Sequence, residues 1–280
     1  MRNNNFSDEL EAGTVSIVKI TYKQYGGKAS IAKWIVSHFP EHKIYLEPFC
    51  GSCSVLFAKD KSFVEMVNDL DNRIINMFKQ IRKQPEQLAA LLWATPYSAA
   101  NWRDVKVSDD ELEDACLLMA QGVQFYCGNG NTSTWAIDKC SANHKPKPEV
   151  WADWFSRILP AAARLQSVQV LQEDAIKAIQ RVYQQEDALI YVDPPYFGHE
   201  KEYRFGVDYQ NMVKVLKDAK SKVVVSEYAT ADKFWNRWRR VEKTTVGRAR
   251  TGAHNTTAKE KTEVLYMNFQ EKIEDNSQSV

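Results

Sequence analysis

Short apolar runs alternate along this chain with stretches whose apolar residues recur at helical spacing. Seven runs have strand length: Ile44–Leu46, Phe63–Val67, Val168–Leu171, Ala188–Val192, Val223–Ser226, Val241–Val246 and Val264–Phe269. Such runs, bounded by polar or turn-forming residues, read as buried strands. Between them, Ser30–Phe39 sets Ile31, Trp34, Ile35 and His38 on one helical face. Asn72–Arg82 repeats the pattern with Ile74, Ile75, Phe78 and Ile81, and Asp174–Tyr183 with Ile176, Ile179 and Val182. Strands alternating with helices predict an α/β fold, a sheet covered by helices on both faces.

The stretch from Thr95 to Pro160 breaks the alternation. It holds a helical segment, Asp109–Gln124, a turn-like Gly128-Asn129-Gly130-Asn131-Thr132, and the Pro/Lys-rich Asn143–Pro148. It reads as a small, mostly helical insertion over 95–160 in a main domain formed by 14–94 and 161–270, with polar, loose tails at 1–13 and 271–280.

Composition narrows the class. The 280 residues are 44% hydrophobic, enough for one large core, and the formal net charge is +1. A nucleic-acid partner would therefore have to be met by a local basic patch. No apolar run approaches the roughly 18 residues of a transmembrane helix. Met1-Arg2-Asn3-Asn4-Asn5 has no apolar region behind it and does not read as a signal peptide. Five irregularly spaced cysteines argue against a disulfide framework and for a reducing compartment.

The chemistry concentrates where apolar runs stop. Ala188–Val192 ends in Asp193-Pro194-Pro195-Tyr196: a carboxylate, carbonyls held in a rigid loop, and an aromatic ring. That set can accept both hydrogens of an exocyclic base amine and stack on its ring, although a tight strand-to-loop turn uses the same residue types. The first strand runs into Glu47-Pro48-Phe49-Cys50-Gly51-Ser52-Cys53, small residues that let a ligand approach the backbone or simply make a βα turn. The second ends in Asn68-Asp69-Leu70-Asp71. An acid at this place accepts ribose hydroxyls in nucleotide-binding sheets; Asp69 suits that role and Asp71 suits a helix cap.

Other motifs are weaker. Cys50 and Cys53 form a C-x-x-C pair that Cys127, Cys140 and His144 would have to complete as a zinc site, at a spacing that does not favour it. Lys233, Arg237, Arg239, Arg240, Lys243, Arg248 and Arg250 interleave with Phe234, Trp235 and Trp238. Phosphate contacts and base stacking want this mixture, and so does an ordinary segment with core aromatics and solvated arginines.

The order of four pieces carries a resemblance. Tyr25-Gly26-Gly27-Lys28, Glu47–Cys53, Asn68–Asp71 and Asp193–Tyr196, followed by Thr262–Phe269, resemble the Dam-type (D12 class) DNA adenine-N6 methyltransferases of the α-group, from about residue 20 to 270. The resemblance implies a Rossmann-like S-adenosylmethionine-dependent methyltransferase fold with a mixed seven-stranded sheet. It implies S-adenosylmethionine as methyl donor, S-adenosylhomocysteine as product and no metal. Lys28 matches a lysine that contacts the cofactor; Gln24 and Tyr25 stand where the family has its aromatic. Phe49 and Gly51 match the cofactor loop, with Cys53 in place of the family's second glycine. Asp69 matches the ribose acid, and Asp174 the acid facing the cofactor's adenine. Asp193, Pro194 and Tyr196 match the target-base site, Asp193 also bordering the cofactor. The 95–160 stretch falls where the family places target recognition.

The implied substrate is double-stranded DNA at a specific site, with the target adenine flipped out of the duplex, and the implied location is the cytoplasm of a prokaryotic cell or phage-infected host. No membrane partner is implied, and a monomer and a weak dimer both stay open, as do roles in restriction–modification, a phage genome or regulation. Cytosine-C5 chemistry needs a cysteine, usually presented after proline, and the chain has no Pro-Cys pair. Methylation of another planar amine (cytosine N4 or an RNA base) and a non-catalytic DNA-binding relative are the alternatives.

Overall fold

A computed structural model describes residues 18–24, 26–99, 107–125, 135–137, 145–199, 203–246 and 260–270. All seven expected strands are present: β1 (Ile44–Glu47), β2 (Val64–Asn68), β3 (Val168–Leu171), β4 (Ala188–Val192), β5 (Lys222–Glu227), β6 (Arg239–Val246) and β7 (Glu260–Met267). They form one sheet in the order β3-β2-β1-β4-β5-β7-β6. The pairs from β3 to β5 are parallel, while β7 runs antiparallel to both β5 and β6. This is the mixed seven-stranded sheet the resemblance implies.

The helices follow the apolar spacing: α1 (Ala32–Val36), α2 (Asn72–Lys83), α3 (Pro85–Ala94), α4 (Glu111–Gln124), α5 (Lys147–Ala152), α6 (Ile158–Leu165), α7 (Ala175–Gln180), α8 (Tyr209–Lys217) and α9 (Asp232–Trp235). Asp71, Asp110, Asp174 and Asp208 cap α2, α4, α7 and α8, each side chain accepting a first-turn backbone N–H. Pro85 starts α3 directly after α2, because its fixed φ and missing N–H suit a first turn and bar a helix interior. α1 is shorter than the ten-residue spacing predicts; Pro40 disfavours helical backbone just before it.

The central strands are buried on both faces, β4 along its full length. Leu189 and Tyr191 point into one core with α2, α3, α4 and α6; Ile190 and Val192 point into the other with α7 and α8. That alternation follows from the period of two along a strand. The described part of 95–160 shares the first core: Ala115, Met119, Val123, Trp151 and Trp154 are all buried in it. Asp114 on α4 takes a two-pronged grip from Arg73 on α2. Gly122 on α4 has no room for a side chain, since a Cβ there would come within 2.5 Å of the Lys23 carbonyl oxygen. Trp154 and Arg157 donate to the carbonyls of Thr21 and Ile20 at 2.7 and 3.0 Å. These contacts fasten the entry segment 18–24, which leads toward Lys28.

Both tails and Tyr25, Cys127, Gly128–Thr132, Cys140, His144, Arg248 and Arg250 lie outside the described residues. Among the described basic residues, Arg239, Arg240 and Lys243 sit on the edge strand β6. Trp235, 1% exposed, is core, so the bland reading holds for that aromatic.

Candidate functional site

Four parallel strands end in acids on the same edge of the sheet. Glu47 closes β1, Asp69 follows β2, Asp193 follows β4 and Glu227 closes β5. Ligands bind outside the carboxyl ends of parallel strands where the strand order reverses, here between β1 and β4. A cleft opens there, lined by Gln24, Lys28, Phe49, Gly51, Asp69, Asp174 and Asp193 among others.

The loop after β1 is shaped by its neighbours. Asp69 accepts the Gly51 N–H and the Asp71 N–H, both at 2.9 Å, so this acid holds the loop as well as facing the cleft. Its carboxyl is raised above the ordinary value by burial, with the two backbone N–H groups opposing. Gly51 has φ +46, and the end of the Gln24 side chain lies where a Cβ would be. Cys53 has φ 52, the left-handed region that costs a side-chain-bearing residue roughly 1–2 kcal/mol. The turn survives the replacement of glycine, at the cost of strain. Cys50 and Cys53 are both buried and burial pushes both thiols up, which makes them poor thiolates. Among the described residues no group of three His, Cys, Asp or Glu is arranged to hold a metal ion. Asp174 caps α7 through the Ile176 and Lys177 N–H groups and also lines the cleft.

At the centre stands an ionic cluster. The Lys28 ammonium lies 2.7 and 2.8 Å from the two oxygens of Asp193 and 3.7 Å from Glu263 on β7. The side chains of Lys28, Asp193 and Glu263 are 7%, 20% and 8% exposed. Burial works against the Lys28 charge, but Asp193 and Glu263 outweigh it and hold the ammonium above its ordinary value. Burial raises Asp193 to about 6, Glu263 adding to the rise and Lys28 opposing it. Two further acids are raised to about 7, chiefly by burial: Glu47, which accepts the Tyr45 hydroxyl at 2.7 Å, and Glu227. Glu227 holds the loop after β4 by accepting the Phe197 N–H at 2.9 Å and the Tyr209 hydroxyl at 3.0 Å.

Tyr196 is turned inward and is 3% exposed. Its hydroxyl donates to Glu263, Lys28 lies 4.9 Å from its ring centroid, and Tyr228 meets it edge-on at 4.6 Å. Pro194 is buried and Pro195 lines the cleft. Lys28, Asp193 and Tyr196 are thus in contact, whereas Gln24, Phe49, Gly51, Asp69 and Asp174 face the cleft around them. Glu47, Glu227 and Glu263 were not singled out from sequence. For Glu47 and Glu227 the signal was available: an acid directly ending an apolar strand, as at Asp193.

The model of the D12 class N6 adenine-specific DNA methyltransferase family matches residues 25–104. The Type II methyltransferase M1.LlaDCHI of Lactococcus lactis subsp. cremoris is 23% identical over 214 residues, which cover 69% of this chain and 73% of that protein. Among solved structures, a precorrin 8W decarboxylase from Methanobacterium thermoautotrophicum aligns with TM-score 0.39 at 9% identity, covering 85% of this chain and 87% of that one. A precorrin-6y C5,15-methyltransferase from Geobacter metallireducens GS-15 aligns with TM-score 0.38 at 5% identity, covering 85% of each.

Proposed function

We propose that the chain is an enzyme that methylates the N6 amine of adenine at a specific site in double-stranded DNA, with S-adenosylmethionine as donor, a reading supported by its similarity over residues 25–104 to the D12 class and to a Type II methyltransferase. The observation that carries the reading is the ordered series of acids on one sheet edge, ending in an Asp193 whose carboxylate is buried against Lys28.

The residues suit the donor chemically. S-adenosylmethionine carries an ammonium, a sulfonium and one carboxylate, so it is a net cation. The cleft is correspondingly rich in acids, with Glu47, Asp69, Asp71, Asp174 and Asp193 against Lys28 and Arg204. Asp69 would hold the ribose hydroxyls, Asp174 the adenine amine, Phe49 and Gly51 the loop against it, and Gln24 and Lys28 the near wall. When bound, the donor supplies an electrophilic methyl group on a good leaving group.

The chain's own task is then to make a poor nucleophile good. The amine lone pair of adenine is delocalised into the ring. Asp193 and the Pro194 carbonyl would accept its two hydrogens, draw the nitrogen toward tetrahedral geometry and aim the lone pair. Alignment and fixed electrostatics are the large terms in such a reaction. The nitrogen becomes acidic as it gains the methyl group, and an Asp193 held at about 6 accepts the departing proton more readily than an ordinary aspartate. The base has to leave the duplex to reach this depth, at a cost of a few kcal/mol. Tyr196 supplies an aromatic ring at the end of the same loop.

Sequencing that detects modified bases in DNA from cells expressing the protein tests the reading. It predicts N6-methyladenine at one short motif. Modification of cytosine, or none in cells that hold the folded protein, would refute it.

A further inference from the structure

The ionic cluster poses a problem for the reaction just proposed. Both Asp193 oxygens are taken by Lys28, at 2.7 and 2.8 Å, yet the acceptor amine needs them. A buried ammonium cannot simply be abandoned, because an unpaired buried charge costs several kcal/mol. Glu263 lies on the other side of the lysine, its Oε1 3.7 Å from Nζ. It comes from β7, a different strand, and is anchored by the hydroxyls of Ser226, at 2.6 Å, and Tyr196. Lys28 also stands in a wall between two clefts. Asp193 lines the first, and Glu263 lines the second together with Thr245 and Lys261.

We infer that Glu263 is a positioning residue that receives Lys28 when the acceptor amine takes the oxygens of Asp193. The lysine hands over from one carboxylate to the other by side-chain rotation, with no bond made or broken. Its third donor keeps the Gly26 carbonyl, now 2.9 Å away. One cation shared by two acids thus serves both states: it holds Asp193 as an anion before the substrate arrives and leaves that carboxylate free afterwards. The inference rests on the methyltransferase reading above and deepens it.

Glu263→Gln is the informative variant. It keeps an oxygen to accept from Tyr196 and Ser226 and removes only the charge. The charged or titratable groups facing Asp193 are Lys28, Glu47, Tyr191, Tyr196, Glu227 and Glu263, with Tyr228 facing Lys28, from the entry loop, β1, β4 and its loop, the end of β5 and just beyond, and β7. Of these only Glu263 changes. Losing its negative charge lowers Asp193, so the acid limb of kcat against pH moves to lower pH. The expected result is a fall in kcat of about tenfold to a hundredfold, with donor affinity by calorimetry unchanged within about twofold. A variant with wild-type kcat and an unmoved acid limb would overturn the hand-over.

A wild-type enzyme that binds donor but methylates no DNA would instead overturn the reading beneath it. Should the variant not fold, a crystal structure of the wild-type protein with an adenine-containing duplex decides. Lys28 within about 3 Å of Glu263 and released from Asp193 is expected. Lys28 still held by both Asp193 oxygens, with the amine bound elsewhere, contradicts it.

Discussion

Two buried ionic clusters lie toward opposite ends of the sheet's strands, and they are built on opposite balances of charge. Near the amino ends of β1 and β2, Glu65 is gripped by Lys59 at 2.7 Å and by Arg164 at 2.5 and 2.8 Å. Lys59 also meets Ser62 at 2.7 Å and lies over the Tyr45 ring at 4.4 Å. One acid faces two cations there. Burial would raise Glu65, but its partners outweigh burial and it is held below the ordinary value. At the carboxyl ends one cation, Lys28, faces Asp193 and Glu263, with Glu47 and Glu227 close by, and Asp193, Glu47 and Glu227 are raised. The first cluster pairs its acid with an excess of cations, as a purely structural ion pair does. The second holds acids under stress, as the proposed site for a cationic donor and an acceptor amine would require, since perturbed ionisation concentrates where chemistry is done.

The largest test of the contrast is Asp193→Ala. Methyl transfer should fall by at least about a thousandfold, the loss typical of a group that acts directly in the transition state. Stability should change far less, because Lys28 keeps Glu263 as a partner. Donor-dependent label incorporation and urea unfolding measure the two effects. Near-normal transfer would remove Asp193 from the chemistry.

Glu65→Leu is the counterpart. It leaves Lys59 and Arg164 buried without their acid and should destabilise by roughly 3–5 kcal/mol, as breaking a buried pair does. Turnover per folded molecule should be nearly unchanged. A variant that unfolds at the wild-type urea midpoint would mean that the cluster does not hold the fold.

The pH dependence of stability separates the clusters more finely. Groups raised in the folded state contribute stability below their unfolded values and lose it as pH rises through their folded values. Asp193, Glu47 and Glu227 should therefore weaken the fold as pH rises from about 4 to about 7, by up to about 3 kcal/mol each. Glu65 is lowered, so its contribution is present above its unfolded value of 4.5 and lost as pH falls through its lower folded value. Unfolding midpoints should therefore be highest below about pH 4.5 and fall from there toward pH 7. A flat profile from about pH 4.5 to about pH 7 would show that the acids at the carboxyl ends carry no such stress.

Much of this contrast was legible in the chain. Strand existence and order of appearance followed from apolar runs such as Ala188–Val192, and the cap of α2 followed from Asp71. The acid after β4 was visible because prolines mark where the strand stops. Glu263 was not, because Lys261-Thr262-Glu263 reads as one more polar strand opening. Only the antiparallel return of β7 beside β5, with Glu227 opposite Val264, carries it to the end of β4. The Lys28–Asp193 pair spans 165 positions and has no local signal either. The left-handed backbone at Cys53 was a question the sequence could pose, and the φ of 52 answers it. The interleaved aromatics near Trp235 read equally as a stacking surface or as core, and burial decided for core at that position.

The central claim is that the acid-rich end of the sheet transfers a methyl group to an adenine amine. The most direct measurement incubates the purified protein with methyl-labelled S-adenosylmethionine and duplex DNA, then hydrolyses the DNA and identifies the labelled base. Label in N6-methyladenine, present with the wild-type protein and absent with Asp193→Ala, is the predicted result. Label in another base, or none while the donor binds, would contradict it.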